Sequence, residues 1–140
     1  MENKLIWENK FEEKKKIVGV LYEDEALTLT FEGGQEITFS TYHDRDCCEA
    51  VSGDFSVFQY FKERLINKNF QKIEVKSIRE MGFLLCFINE DDVFFEKVFI
   101  ACYNYQNGFY SDDLALKIKY DNVTTDIDIS DLVEDHISWG

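Results

Sequence analysis

The part of the chain richest in side chains that could do chemistry covers residues 42–49. It places a histidine, two aspartates, two adjacent cysteines and a glutamate at the end of a predicted strand. Loops at strand ends are where rigid scaffolds most often present functional groups. Its candidate binding residues are Tyr42, His43, Asp46, Cys47 and Glu49. A metal site, a thiol nucleophile and a purely structural turn are the alternatives.

A metal site would use His43, Asp46, Cys47 and Glu49 as ligands. Structural zinc sites usually combine two ligand pairs, each with about two to four residues between its members, and the second pair lies elsewhere in the chain. The other histidine, His136, lies near the end of the sequence. The spacing therefore disfavours a metal, and neither a metal nor another cofactor is predicted.

A thiol nucleophile would use Cys47 or Cys48 as the thiolate and His43 as its base. The neighbouring carboxylates would raise the pKa of the thiol and oppose formation of the thiolate. In the structural alternative, Asp44 or Asp46 accepts hydrogen bonds from local backbone N–H groups. Common motifs of catalysis and nucleotide binding are missing from the sequence, so no catalytic residue is assigned.

Residues 103–111 form a second candidate segment, with aromatic and amide side chains around Asn107-Gly108. Asn-Gly is the strongest local hairpin signal, because both residues tolerate positive φ, and it predicts that strands over 98–105 and 114–120 pair. The aromatic rings then either form cross-strand pairs or line a pocket in which one ring stacks on a planar ligand. The pocket would use Asn104, Gln106, Asn107, Tyr110 and Ser111.

The charge of the chain excludes some partners. There are 28 acidic and 15 basic residues, which give a net charge of −13. A surface of this sign repels nucleic acid and anionic membranes, so direct binding to either is not expected. It suits a solvated face, or a partner with a basic groove such as a protein that handles nucleic acid. The candidate acidic face comprises Glu90, Asp91, Asp92, Asp112, Asp113, Asp126 and Asp128.

The sequence also bears on compartment. No apolar run approaches the ~20 residues of a membrane span, and the first residues lack the apolar region of a signal peptide. The cysteines are therefore expected to be thiols in a reducing compartment. Cys86 and Cys102 lie in apolar runs and are predicted to be buried.

Hydrophobic periodicity predicts the fold. Period-two alternation or apolar runs predict strands over 15–22, 26–31, 36–42, 71–78, 83–88 and 123–129, and Gly33-Gly34 predicts a hairpin turn. The stripe of Phe55, Phe58, Phe61 and Leu65 predicts a core-facing helix from Asp54 to about Asn67. Ser130 predicts a short last helix over 131–137. This order predicts a single α+β domain over residues 1–140, with a mostly antiparallel sheet, one central amphipathic helix and a short C-terminal helix.

Two motifs resemble those of a family of small, uncharacterised proteins encoded by phages and prophages. The family pattern Tyr-His-x-x-Asp-Cys-Cys-Glu is matched by residues 42–49, and an Asn-Gly-Tyr-Tyr-Ser-like stretch is matched by residues 107–111 except at Phe109. The first ten residues and the region after about Tyr120 fall outside the resemblance. The resemblance implies the cytosol of a bacterial host and transfers no activity.

Charge, motifs and resemblance together favour a non-enzymatic binding protein that antagonises a bacterial defence system, like an anti-CRISPR, by binding a host protein with a basic surface. One alternative sequesters a nucleotide second messenger, for which Arg45, Arg64 and Arg79 are the only arginines. Another is a thiol- or metal-dependent enzyme built on the loop of His43 and Cys47. A homodimer is also compatible with an exposed sheet edge or aromatic patch.

Overall fold

The computed structural model describes residues 4–23, 26–42, 51–78, 81–89, 94–106, 114–132 and 134–137. Within these ranges the chain is mostly strand, with one α-helix and one 3₁₀ turn. In chain order the elements are β1 (Lys4–Glu23), β2 (Ala26–Phe31), β3 (Glu36–Tyr42), β4 (Val51–Gly53), α1 (Phe58–Leu65), β5 (Asn69–Ile78), β6 (Gly82–Asn89), β7 (Phe94–Gln106), β8 (Ala115–Tyr120), β9 (Val123–Asp128), the 3₁₀ turn (Ser130–Leu132) and β10 (Glu134–Ile137).

The strands form one sheet in the order β10-β7-β6-β5-β1-β2-β3-β8-β9, and β4 pairs with β7. All pairs are antiparallel except β10 with β7, which is parallel. The predicted mostly antiparallel sheet is therefore confirmed. The described part of the chain is richer in strand than the expected α+β arrangement, because one short helix accompanies ten strands.

The long strand β1 joins the two halves of the sheet. Its first part pairs with β5, and from Ile17 onward it pairs with β2. The register shifts between Lys10 and Lys15, as it does at a β-bulge, which bends a strand and increases its twist. The bend lets the halves face each other: Trp7 meets Phe39 edge-on at 6.0 Å between ring centroids, and Phe11 meets Phe31 at 5.3 Å.

The core lies between these halves and is rich in phenylalanine. Alternate residues of each strand point into it, as the period of two requires. Helix α1 packs on the inner face of the β5–β7 half, where the rings of Phe58 and Phe87 lie 6.4 Å apart between centroids. Just before the helix, the rings of Phe55 and Phe83 lie 6.0 Å apart. With Phe55, Phe58 and Leu65 almost fully buried, the core role predicted for the aromatic stripe is confirmed.

Of two local predictions, the glycine turn is confirmed and the helix cap is wrong. Gly33 and Gly34 adopt φ of 100° and 96° between β2 and β3, so the predicted hairpin is confirmed. Asp54 does not cap α1 directly. Its Oδ1 accepts hydrogen bonds from the backbone N–H and the hydroxyl of Ser56, and the helix begins later, at Phe58.

The predicted hairpin around Asn107-Gly108 is wrong in its strand pairing. β7 pairs with β6, β4 and β10, whereas β8 pairs with β3 and β9. The local turn signal favours adjacent strands, but the apolar faces of these strands are buried in different halves of the sheet. Asn107 and Gly108 themselves lie outside the described residues.

The predicted C-terminal helix is also wrong. A 3₁₀ turn over Ser130–Leu132 is followed by strand β10. The Ser130 hydroxyl, expected to cap the helix, donates to Asp128 Oδ1 and accepts from the backbone N–H of Leu114 at 3.0 Å. Ser130 thus ties β9 to the start of β8. The helices of the described residues are all too short or too polar to cross a membrane.

Candidate functional site

The described structure contains only some of the residues singled out in the sequence. Tyr42 is the last residue of β3, Asn104 and Gln106 lie in β7, and Asp126 and Asp128 lie in β9. The remaining candidates lie outside the described residues: His43, Asp46, Cys47, Glu49, Glu90, Asp91, Asp92, Asn107, Tyr110, Ser111, Asp112 and Asp113.

The two candidate segments begin and end at one place in the sheet. Segment 42–49 leaves β3 after Tyr42 and returns at Val51, and Val51 is paired with Asn104 of β7. Segment 103–111 leaves β7 and returns to β8, where Ala115 is paired with Tyr42. Strand pairing therefore brings together the strand residues that flank two segments far apart in sequence.

The base of the first segment is held by a specific contact. The backbone N–H of Gly53 donates to Thr41 Oγ1 at 2.9 Å, which links the strand before the segment to the strand after it. A Cβ at residue 53 would lie 2.9 Å from Thr41 Cγ2, so a larger residue there would force the Thr41 side chain to shift. β10 lies beside the same region, with His136 opposite Tyr105 in the backbone register.

A groove of about 450 Å³ lies next to Tyr42 and joins two of the predicted sets. Lys117 Nζ lies 5.3 Å from the centroid of the Tyr42 ring and 3.9 Å from Asp126 Oδ1. Asp128 Oδ1 accepts from the backbone N–H of Ser130 at 3.0 Å, which fixes this carboxylate. The groove is lined by Tyr42, Leu114, Ala115, Asp126, Ile127, Asp128 and Ser130.

This groove does not support the alternative of a nucleotide-binding site. Its two aspartates repel phosphate, and Lys117 is the cation beside them. Arg64 lies near Glu96, with 3.8 Å between Nη1 and Oε2. Glu96 is ten residues before Gln106 in β7, or roughly 33 Å along a strand. Arg45 and Arg79 lie outside the described residues.

The described cysteines are structural. Cys86 and Cys102 are free and buried, as predicted. Burial raises the pKa of Cys102 to about 12, and burial is also the main cause of the raised pKa of Cys86. Neither thiol is ionised at neutral pH, so neither is a nucleophile there. The described ranges hold no group of three or more His, Cys, Asp or Glu residues placed to bind a metal.

A further feature was missed by sequence reasoning. A groove of about 290 Å³ separates the first half of β1 from β9, and we call it the β1–β9 seam. Trp7 and Asn9 line one side, Val123 and Thr125 the other, and Ile118, Tyr120 and Asp121 complete it. The first residues gave no strand signal, so the sequence could not place Trp7 beside β9. The alternation over 123–129 was correctly predicted as a strand, but its position at the sheet edge was not.

Comparison with family models, curated proteins and solved structures found no match for this chain.

Proposed function

We propose that this protein works by recognition: it binds a basic surface on a bacterial host protein and antagonises a defence system of that host. The observation that carries the proposal is the placement of exposed carboxylates along one edge of the sheet. We call this set the acidic edge, and it consists of Asp121, Asp126, Asp128 and Asp131.

The acidic edge lies at one end of the strand order, where Lys117 and Lys119 are the cations of β8. A negatively charged surface attracts a basic partner, which increases the association rate and orients the approach.

The carboxylates of the acidic edge remain available to a partner. The pair of Lys117 and Asp126 is separated by 3.9 Å, and both side chains are about half exposed. An ion pair of this kind contributes about 0–1 kcal/mol, so a partner can replace it at little cost. Asp128 is oriented by Ser130, which reduces the entropy that binding would cost.

The resemblance to phage and prophage proteins supplies the setting of the proposal. A protein that normally holds nucleic acid presents a basic groove, and carboxylates held on a rigid edge can occupy it. The proposed partner is therefore a nucleic-acid-handling protein of the host, and the effect is stoichiometric inhibition without a reaction.

The test is a comparative pull-down from lysate of a bacterial host. The bait variant is the triple substitution Asp121→Asn, Asp126→Asn and Asp128→Asn, in which the amide oxygen introduced at position 128 can still accept from Ser130. The control is Glu23→Gln, Glu32→Gln and Glu63→Gln, which removes the same charge from exposed positions at the end of β1, in the β2–β3 turn and on α1.

We expect the wild type and the control to retain the same basic host protein, and the edge variant to lose it. Retention should also fall steeply between low and high salt. A host protein captured equally by both triple variants, or the absence of any stoichiometric partner, would refute the proposal.

A further inference from the structure

The β1–β9 seam is an interruption in an otherwise continuous sheet. β9 is the last strand of the order and pairs with β8, and among the described residues no other strand pairs with it. The first half of β1 pairs with β5 on one side only. β1 and β9 thus lie on opposite sides of the seam without forming a ladder.

The hydrogen-bonding pattern of the β8–β9 hairpin shows which backbone groups of β9 point away from β8. Asp121 and Asn122 adopt φ of 52° and 63°, the signature of a two-residue type I′ turn between Tyr120 and Val123. In such a hairpin the residues that flank the turn form a hydrogen-bonded pair, and bonding then alternates along the strand. The backbone N–H and C=O groups of Thr124 and Asp126 therefore point away from β8.

The two faces of β9 differ in chemistry. Val123 and Thr125 line the seam, Ile127 follows on the same face of the strand, and Val123 remains 62% exposed. Thr124, Asp126 and Asp128 alternate on the other side and are exposed. Within the seam, the rings of Trp7 and Tyr120 supply an apolar surface. A strand laid against β9 would meet apolar groups on one face and carboxylates on the other.

We infer that the seam receives an extended segment of the basic partner, which adds to β9 as a further strand. This inference rests on the proposed function and names how the partner is held. Main-chain hydrogen bonds to Thr124 and Asp126 would supply affinity. Apolar side chains at alternate positions would enter the seam, and basic side chains between them would lie over Asp126 and Asp128.

Charge complementarity favours this occupant over a second copy of the chain. Each copy carries a net charge of −13, so two copies joined at β9 would bring like charges onto one edge. Like charges across a strand pair are destabilising. A segment with lysine or arginine at alternate positions supplies the opposite sign at the same places.

The experiment uses a synthetic probe, acetyl-(Lys-Val)₃-amide, and compares it with acetyl-(Glu-Val)₃-amide. Amide hydrogen exchange is followed by NMR in the full chain with and without probe. We expect the lysine peptide to bind and the glutamate peptide not to bind. Exchange at Thr124 and Asp126 should slow by about tenfold or more near saturation, because their N–H groups become hydrogen-bonded.

Two variants distinguish the contribution of the Thr124 backbone N–H to binding from that of the side chain. Thr124→Pro removes an outward N–H without removing a bond to β8, as proline does on edge strands, and Thr124→Val keeps that N–H. Thr124→Pro should weaken lysine-peptide binding about tenfold, which corresponds to 1.4 kcal/mol, and Thr124→Val should not. The exchange measurement on the wild type stands even if Thr124→Pro unfolds.

The outcomes distinguish the inference from the function on which it rests. Lysine-peptide binding without protection of Thr124 and Asp126, or no peptide binding while a host protein is captured through the acidic edge, overturns the added strand alone. Pairing of the peptide with β9 while no host protein is captured supports the strand site and refutes the proposed function. Protection of the same amides without peptide, in a chain that light scattering shows to be dimeric, assigns the seam to a second copy and overturns the basic segment.

Discussion

The acids of this molecule serve different purposes in its two halves. In the half built from β5, β6, β7 and the first part of β1, Glu74 is 8% exposed and lies 3.3 Å from Lys72 and 3.7 Å from Lys76. At the acidic edge, Asp126 is exposed and Lys117 is a distant, exposed partner. The first carboxylate is enclosed between two lysines of β5, and the second remains available to a partner. A net charge of −13 alone does not distinguish these roles.

The largest expected effect on stability lies in the half built from β5, β6, β7 and the first part of β1. A Cβ at Gly82 would lie 2.0 Å from the carbonyl oxygen of Ile100, and φ there is +146°. Gly82→Ala must therefore separate β6 from β7 and should lower the free energy of unfolding by about 3 kcal/mol or more. Gly34→Ala is the control, since its φ is +96° but nothing lies within 4 Å of the added Cβ.

The Gly34 variant should cost only about 1 kcal/mol in the same urea titration, since it carries the backbone penalty without the steric one. Equal losses in the two glycine variants would contradict the close approach of β6 and β7.

Removal of the buried acid should cost stability in the same half. In Glu74→Gln two lysines lose the carboxylate between them, and we expect a loss of about 2 kcal/mol in the free energy of unfolding. Complete burial of all three charges would make this loss larger, but both lysine side chains are partly exposed, at 20% and 35%. A Glu74→Gln chain as stable as the wild type would show that this carboxylate is not structural.

Alkaline pH should destabilise the chain through Cys102. Burial raises the pKa of the Cys102 thiol from 9.0 to about 12, so the folded state keeps its proton when the unfolded state loses it. This contribution to stability is complete below pH 9 and is lost as pH rises, by up to about 1.4 kcal/mol per pH unit between 9 and 12. Cys102→Ala should be less stable at pH 8 but show a smaller loss from about pH 8 to about pH 10.

In this measurement Cys86, whose pKa is also raised, accounts for part of the slope that the alanine variant retains. Identical pH dependence in the wild type and Cys102→Ala would mean that Cys102 does not titrate differently on folding.

The smallest stability effect is expected at the acidic edge. Asp126→Asn loses an exposed ion pair. The free energy of unfolding, measured by thermal denaturation, should therefore change by no more than about 0.5 kcal/mol. If Asp126→Asn proves as damaging as Glu74→Gln, the distinction between the two halves is wrong.

Much of the local structure could be predicted from alternation and turn chemistry. The strand over 26–31, the Gly33-Gly34 turn and the inward face of Phe55, Phe58 and Leu65 depend on neighbours in sequence, and the structure confirms them. The burial of Cys86 and Cys102 followed equally from the apolar runs around them.

Of the candidate site, the sequence indicated residue types but not their neighbours. Tyr42 and Asp126 were assigned to separate sets, and only the pairing of β8 with both β3 and β9 places them on one groove. Trp7 was not singled out, because residues 4–14 carry many charges and no regular alternation. Its partner in the core, Phe39, is contacted only after β1 has bent.

The sequence by itself determined the charge of this protein, the buried face of strands such as β2 and β3 and the position of the Gly33-Gly34 turn, because these depend on residues a few positions apart. The tertiary structure decided which strands are neighbours: β8 pairs with β3 rather than β7, residues 134–137 form β10 beside β7, and β1 pairs in both halves. Strand alternation specifies a buried face but not the strand beside it. That choice depends on which distant apolar surfaces bury each other best, and it leaves β9 at the edge.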